Sequence, residues 1–396
     1  MTITTSVPSE VKLLVLCSVN NITEEQQKVI LKLIQSTVNW ETFYAMVVKN
    51  RVYPIVYKNL KKLNTSAVNE QILVRLENDY KKSQFFTLLQ AKELIKVMEQ
   101  LKQQEIQAVS IKGPLLARSI YQDVFLRVSR DLDILVAPSE IHEVEKILLK
   151  MGYVQVDNFN HLSLKQKKLL IKTLHHFSYS NDTGVLIELH WRLSSVYYDL
   201  SFDEIWRNKR TITMFGKDFN ILSDEENLIY LIIHGSRHAW KRLRWLCDIY
   251  EIMKNKALDW NYVINRAKEL GVIHLVEQTI ILLKIFFRYQ PQIHLSLTKY
   301  ERTIANRLAF MSLPFINSLG DETEMYGHPL YKNIKKYSWV WYQGVDMKMQ
   351  LILSHFIPNT VDFQTIKLQD KYFYLYYVLH FFKISKKCIN YLLHNK

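Results

Sequence analysis

Arg130-Asp131-Leu132-Asp133-Ile134-Leu135-Val136 is the stretch on which the fold turns. It is short and rich in branched apolar residues, a pattern that predicts a strand. Successive side chains of a strand face opposite ways, so Asp131 and Asp133 share one face and Leu132 and Ile134 the other. Their Cα atoms then lie roughly 6.5–7 Å apart, close enough for two carboxylates to grip one or two divalent ions. Spacing alone also allows a plain acid pair at a sheet end, although solvated acids more naturally occupy a turn. A third acid, Glu188, sits in a second strand-like run, Val185-Leu186-Ile187-Glu188-Leu189-His190.

Around these runs the chain divides into three parts. Residues 1–105 read as helical. Thr23 stands as an N-cap before Glu24 and Glu25, and an uninterrupted helical pattern covers about 68–104. Residues 106–222 read as α/β. Strand candidates are 108–111, 131–136, 153–156, 176–180 and 185–190, with a further hairpin over 211–222. Ser139 reads as the cap of a helix over about 140–151, and Asn181-Asp182-Thr183-Gly184 has hairpin-turn chemistry. From Ser223, which opens a capping-box pattern, residues 223–396 read as helical again. Helices are predicted over 224–237, 240–254, 259–269 and 272–289. The fold class is therefore α+β, a small mixed sheet flanked by N-terminal and C-terminal helical regions.

Carboxylates without an accompanying Cys or His cluster make a hard-cation site. Mg²⁺ suits such a site, held by protein carboxylates together with substrate phosphates. Two ions ~3.5–4 Å apart stabilise the attacking and leaving oxygens of an in-line displacement at phosphorus.

Lys112-Gly113, Asp131-Leu132-Asp133 and Ile187-Glu188-Leu189-His190-Trp191 together resemble the nucleotidyltransferase superfamily of polymerase-β-like fold. The downstream stretch narrows the likeness. His234-Gly235, His238, Trp240, Leu243, Trp245-Leu246, Asp248 and Asp259-Trp260 resemble the bacterial uncharacterised nucleotidyltransferase family, nucleotidyltransferase family 5, over about residues 25–265. The resemblance implies a mixed sheet with helices on one side, and a nucleoside triphosphate as donor. It implies Asp131 and Asp133 as Mg²⁺ ligands, with Glu188 ligating a second ion and orienting or deprotonating an acceptor hydroxyl. It implies that Gly113 and its turn approach the triphosphate. The superfamily usually carries Gly-Ser or Gly-Gly there, whereas this chain has Lys112-Gly113-Pro114, so a Lys112 charge stands where a serine hydroxyl would be.

Other residues carry two readings each. Arg127 and Ser129 share strand parity with Asp131, which makes Arg127 either a phosphate clamp or a plain charge, on the surface or paired with the aspartates, and Ser129 a site hydroxyl or a loop hydroxyl. His190 either orients Glu188 or is a structural imidazole. His234 and His238, spaced i, i+4, fit local packing better than a zinc pair. His238 could also join Arg237, Lys241, Arg242 and Arg244 in a basic wall over the phosphates. His175 and His176 carry no pattern of their own. The aromatic run Tyr372–Phe382 reads as a core helix with Tyr tips reaching solvent, with membrane-surface docking or base stacking as alternatives.

The 396 residues are 48% hydrophobic and 23% charged, which excludes a disordered chain. The formal net charge of +14 suits an acidic partner. A Lys/Ile/Asn/Tyr-rich composition gives the same charge without a binding face, so nucleic acid is not the expected partner. Cys17, Cys247 and Cys388 lack metal spacing and fit a reducing compartment. With no signal-like or membrane-spanning run, a cytoplasmic location is expected.

The expected activity is Mg²⁺-dependent transfer of a nucleoside monophosphate from a triphosphate to a hydroxyl or phosphate acceptor, which is a small molecule, peptide or protein. One alternative changes the donor: a transferase tailoring a ribosomal peptide, such as a lasso peptide, from a nucleotide sugar. The other is an inactive nucleotide-binding or toxin–antitoxin-type module.

Overall fold

The computed structural model describes residues 8–36, 38–63, 66–156, 162–194, 200–317 and 329–394. Five helices come first: α1 (Ser9–Cys17), α2 (Glu24–Gln35), α3 (Trp40–Lys49), α4 (Tyr53–Lys62) and the 34-residue α5 (Glu70–Gln103). Thr23 closes a capping box on α2, and the Asn69 side chain accepts from the Ile72 amide at the start of α5.

The sheet segment runs β1 (Ala108–Ser110), α6 (Gly113–Tyr121), β2 (Asp131–Val136), α7 (Ile141–Lys150), β3 (Val154–Gln155), α8 (Leu164–Thr173), β4 (His176–Ser180), β5 (Leu186–His190), α9 (Phe202–Asn208), β6 (Arg210–Met214) and β7 (Lys217–Ile221). α10 (Asp224–Arg237), α11 (Leu243–Asn255), α12 (Trp260–Glu269), α13 (Ile273–Phe287) and α14 (Lys299–Asn317) follow. Then come α15 (Pro329–Trp341), α16 (Val345–Ser354), α17 (Thr360–Thr365) and α18 (Leu375–His394). Ser139 does not cap α7. It lies in a 3-10 turn, Pro138–Glu140, and α7 starts after it. α8, unforeseen in the sequence, is announced by a capping box between Ser163 and Gln166.

The seven strands form one mixed sheet in the order β3-β4-β5-β2-β1-β7-β6. β2 runs parallel to β5 and antiparallel to β1. One face is mainly apolar: Leu132, Ile134 and Val136 pack with Leu94, Val97 and Leu101 of α5 and with Val144 and Leu148 of α7. Each such burial contributes roughly 1.5–3 kcal/mol. The other face is divided. Val109, Ile111 and Leu135 pack with Ile229 and Ile233 of α10, while the β4–β5 half stays half-open. Helices thus cover both faces, not one, because the chain after β7 folds back across β1 and β2.

The Tyr372–Phe382 run is not wholly core. Tyr376 and His380 are buried, but Tyr374, Phe381 and Phe382 are exposed, so α18 buries a single stripe. Among the described residues no helix is long and apolar enough to cross a membrane. Cys17 and Cys247 are buried free thiols, and the side chain of Cys388 lies outside the described residues.

α10 holds its place through Gly235. A Cβ there would meet the indole of the fully buried Trp240, including its Cε3 at 2.7 Å. Gly235→Ala is therefore expected to destabilise the fold by about 1–3 kcal/mol through overpacking, read as a lower midpoint in chemical denaturation. An unchanged midpoint would show that the indole can shift freely.

Candidate active site

Register builds the site. Asp133 lies opposite Glu188 on parallel β2 and β5, and His176 lies opposite His190 on antiparallel β4 and β5. Directly opposed residues share a face, so Asp131, Asp133, Glu188, His190 and His176 all stand on the divided face. The β4–β5 register is set locally: the Asn181 side chain accepts from the Val185 amide at 3.0 Å.

The centre is Asp133, fully buried. Lys112 Nζ donates to its Oδ1 at 2.7 Å, and His190 Nε2 lies 3.2 Å from the same oxygen and 3.2 Å from Glu188 Oε2. The other His190 nitrogen, Nδ1, is 3.2 Å from the carbonyl of Arg192. His176 Nε2 is 3.8 Å from Glu188 Oε1, and the Ser129 hydroxyl donates to the Asp131 carbonyl at 3.0 Å. The Lys112 ammonium sits 5.3 Å from the Tyr230 ring centroid. Asp133 Oδ2 and His176 Nδ1 are buried and lack a hydrogen-bond partner among the described residues.

These contacts sort the proton affinities. Burial opposes the Asp133 charge, but Lys112 and His190 outweigh it and hold the carboxyl well below its usual range. Asp131 goes the other way, pushed up by burial and by the Asp133 charge. For Glu188, burial is outweighed by the His190 hydrogen bond and the acid is lowered. Burial would neutralise His190, yet its bonds to Asp133 and Glu188 raise it to about 9. Burial and the neighbouring His190 lower His176 to about 4. For Lys112, burial is overcome by Asp133 and the ammonium is stabilised.

Of the residues singled out in the sequence, Lys112, Asp133, Glu188 and His190 meet in direct contact. Asp131 and Ser129 flank them. Gly113 opens α6 at φ +69°, with Leu132 3.3 Å from where its Cβ would sit. Two expectations are corrected. Arg127 is buried and its Nε donates to Asp248 Oδ2 at 3.0 Å, so its guanidinium is engaged away from the aspartates it was paired with on parity. His238 follows the end of α10 and stacks on Trp245, ring centroids 5.4 Å apart, rather than joining the acids.

The site also holds what the sequence reading left out. His175, His176 and His190 bring ligand atoms within 4.8 Å of one another, as do Asp133, Glu188 and His190. The carboxylates are thus not free of a His cluster. The signal lay in the hairpin register, which sets His176 across from His190. Tyr230, missed as well, had no motif to mark it.

Residues 36–288 match the family described as uncharacterised nucleotidyltransferase. The chain belongs to that family. Nucleotidyl transfer from a nucleoside triphosphate is the chemistry that membership brings. Two solved structures are similar at low scores. One is the lincosamide antibiotic adenylyltransferase LnuA in its lincomycin-bound form, with a TM-score of 0.30 and 13% identity over 42% of this chain and 97% of that one. The other is an antigenic nucleotidyltransferase-like protein from Paracoccidioides brasiliensis, with a TM-score of 0.31 and 15% identity over 53% and 94%. No curated protein matches the chain.

Two outcomes follow from the geometry. In metal-stripped protein His190 is expected to be an imidazolium at about pH 7.5, seen by nitrogen-15 NMR. Because its folded pKa lies above the free value of 6.5, its stabilising contribution is complete below 6.5 and is lost as pH rises through about 9. A neutral ring at pH 7.5 would contradict the bridging geometry. Separately, Asp248→Ala strands the buried Arg127 and is expected to cost about 3–5 kcal/mol in unfolding free energy.

Proposed function

We propose that this nucleotidyltransferase is metal-dependent, with Asp131, Asp133 and Glu188 as its Mg²⁺ ligands. It moves a nucleoside monophosphate from a triphosphate to a hydroxyl or phosphate acceptor and releases pyrophosphate. The observation that carries this reading is Asp133: a fully buried, charged carboxylate with one oxygen unpartnered, directly across from Glu188. Carboxylate oxygens of that kind fit a hard divalent cation. When bound, Mg²⁺ neutralises charge on the phosphate oxygens.

The chain's own groups do the rest. Lys112 supplies a permanent positive charge at the start of α6, where backbone amides favour phosphate. Glu188, held as a carboxylate, accepts a hydrogen bond from the acceptor hydroxyl and aims its oxygen at the α-phosphorus. As the new O–P bond forms, the hydroxyl proton passes to the Glu188 carboxylate, the bond from α-phosphorus to the bridging oxygen breaks, and pyrophosphate leaves with that electron pair. The half-open β4–β5 face gives the acceptor its approach, with a peptide, a small molecule and a protein as the acceptor classes to be screened. Retention of all three acids supports turnover over an inactive scaffold.

A thermal-shift screen with ATP, GTP, CTP, UTP and nucleotide sugars, each with and without Mg²⁺, tests the reading. A donor at ~100 times its Kd adds ~2.7 kcal/mol to the folded state. A Mg²⁺-dependent rise for one triphosphate is expected. Asp133→Asn and Asp131→Asn are expected to lower transfer by about 100-fold or more, since even the groups behind metal ligands cost 10–100-fold. Full transfer in Asp133→Asn would overturn the site, and a response only to nucleotide sugars would move the donor to that class.

A further inference from the structure

We infer that His175, His176 and His190 form a nitrogen-donor metal site beside Asp133 and Glu188, one that takes a borderline transition-metal ion of the Zn²⁺ class. This site shares two acids with the reading above but does not need the transfer reaction.

Three observations carry it. First, the three rings converge. Centroids are 4.5 Å apart for His175–His176, 4.9 Å for His176–His190 and 5.6 Å for His175–His190, and the ligand atoms lie within 4.8 Å. A tetrahedral ion with Zn–N of ~2.0–2.1 Å holds its nitrogens about 3.3 Å apart, so the rings need close by at most about 1.5 Å. Second, His190 is built as metal-binding imidazoles are built. Its Nδ1 faces the Arg192 carbonyl at 3.2 Å, which fixes the tautomer and leaves Nε2 turned to Asp133 and Glu188, 3.2 Å from each. Third, His176 Nδ1 is buried without a hydrogen-bond partner, an arrangement that costs free energy unless something occupies the lone pair or proton.

The donor chemistry selects the ion. Mg²⁺ asks for near-octahedral oxygen ligands and gives up water reluctantly. Imidazole nitrogens suit zinc and its neighbours in the first transition row, and adjacent carboxylates complete such a set without excluding it. The rings are held by strand pairing: His176 is opposite His190 in the β4–β5 ladder, and the Trp191 amide donates to the His175 carbonyl at 3.2 Å. Strand pairing thus fixes His176 against His190, and His175, one residue before β4, is tied to the end of β5 by that amide hydrogen bond.

The test uses untagged full-length protein stripped of metal and titrated with Zn²⁺ by calorimetry against a millimolar Mg²⁺ background. Co²⁺ serves as an optical probe of nitrogen ligation. One Zn²⁺ per chain that Mg²⁺ does not displace is expected, with Co²⁺ d–d bands of a low-coordinate site. His175→Gln/His176→Gln is expected to lower Zn²⁺ affinity about 10–100-fold or more and to abolish those bands, with circular dichroism checking the fold. Single His176→Gln serves if the pair fails to fold. Asp131→Asn separates the two readings, because Asp131 is outside the imidazole group. Zn²⁺ binding that persists there while the Mg²⁺-triphosphate thermal shift is lost supports both. Zn²⁺ binding without any Mg²⁺-triphosphate shift in the unmodified protein overturns only the transfer reading. Displacement of Zn²⁺ by Mg²⁺, or unchanged Zn²⁺ affinity in the histidine variants, overturns this inference.

Discussion

A carboxylate buried to zero exposure constrains everything around it. Asp133 lies inside the sheet face, where an isolated charge costs several kcal/mol. The chain meets that cost with two cations from different segments. Lys112 arrives from the turn between β1 and α6, and His190 from the end of β5. Tyr230 of α10 covers the ammonium. The segment carrying the acids, the strand carrying Glu188 and the first helix after the sheet thus meet at one charge, and none can slip without stranding it.

The same arrangement makes two neighbouring aspartates unlike each other. Asp131 and Asp133 are two residues apart on one strand, yet burial and repulsion raise the first while Lys112 and His190 lower the second. The divergence follows from which acid the two basic side chains reach: both touch Asp133 and neither is placed on Asp131. The division of the sheet face matches it. The half under α10 is closed around Lys112 and Tyr230, and the half over β4 and β5 is left to Glu188 and the histidines.

What the sequence disclosed depended on whether a period could be applied safely. The two-residue period of Asp131–Val136 was short, apolar and unbroken, and it placed both aspartates correctly. The Asn181–Gly184 turn fixed the hairpin that presents Glu188. Arg127 failed because its parity was counted from Asp131, where β2 begins. The residues before it are not strand, so alternation carries no information there. The i, i+4 spacing of His234 and His238 does bring their rings together in local packing, centroids 5.0 Å apart, although α10 ends at Arg237, and Ala239 and Trp240 take φ of +51° and +55° as the chain reverses. The indole of Trp240 then packs on Gly235. The imidazole cluster was hidden differently. His175 and His176 have no spacing motif, and they acquire meaning only when β4 is registered against β5.

That register also explains why the two cations at Asp133 are not interchangeable. A lysine ammonium has no lone pair, so Lys112 can neutralise the carboxylate but never ligate a cation. An imidazole can do either, giving up its Nε2 proton and offering the same atom as a ligand. Among the described acids Lys112 pairs with Asp133, by Oδ1, whereas His190 reaches Asp133 and Glu188 with one nitrogen while the Arg192 carbonyl holds the other. The fixed charge therefore sits at the start of α6, and the exchangeable one between the two acids, on a nitrogen that carries either a proton or a free lone pair. A lysine at position 190 would preserve the electrostatics of the resting fold and remove that exchange, which is why the chemistry of this position, and not its charge, distinguishes the site.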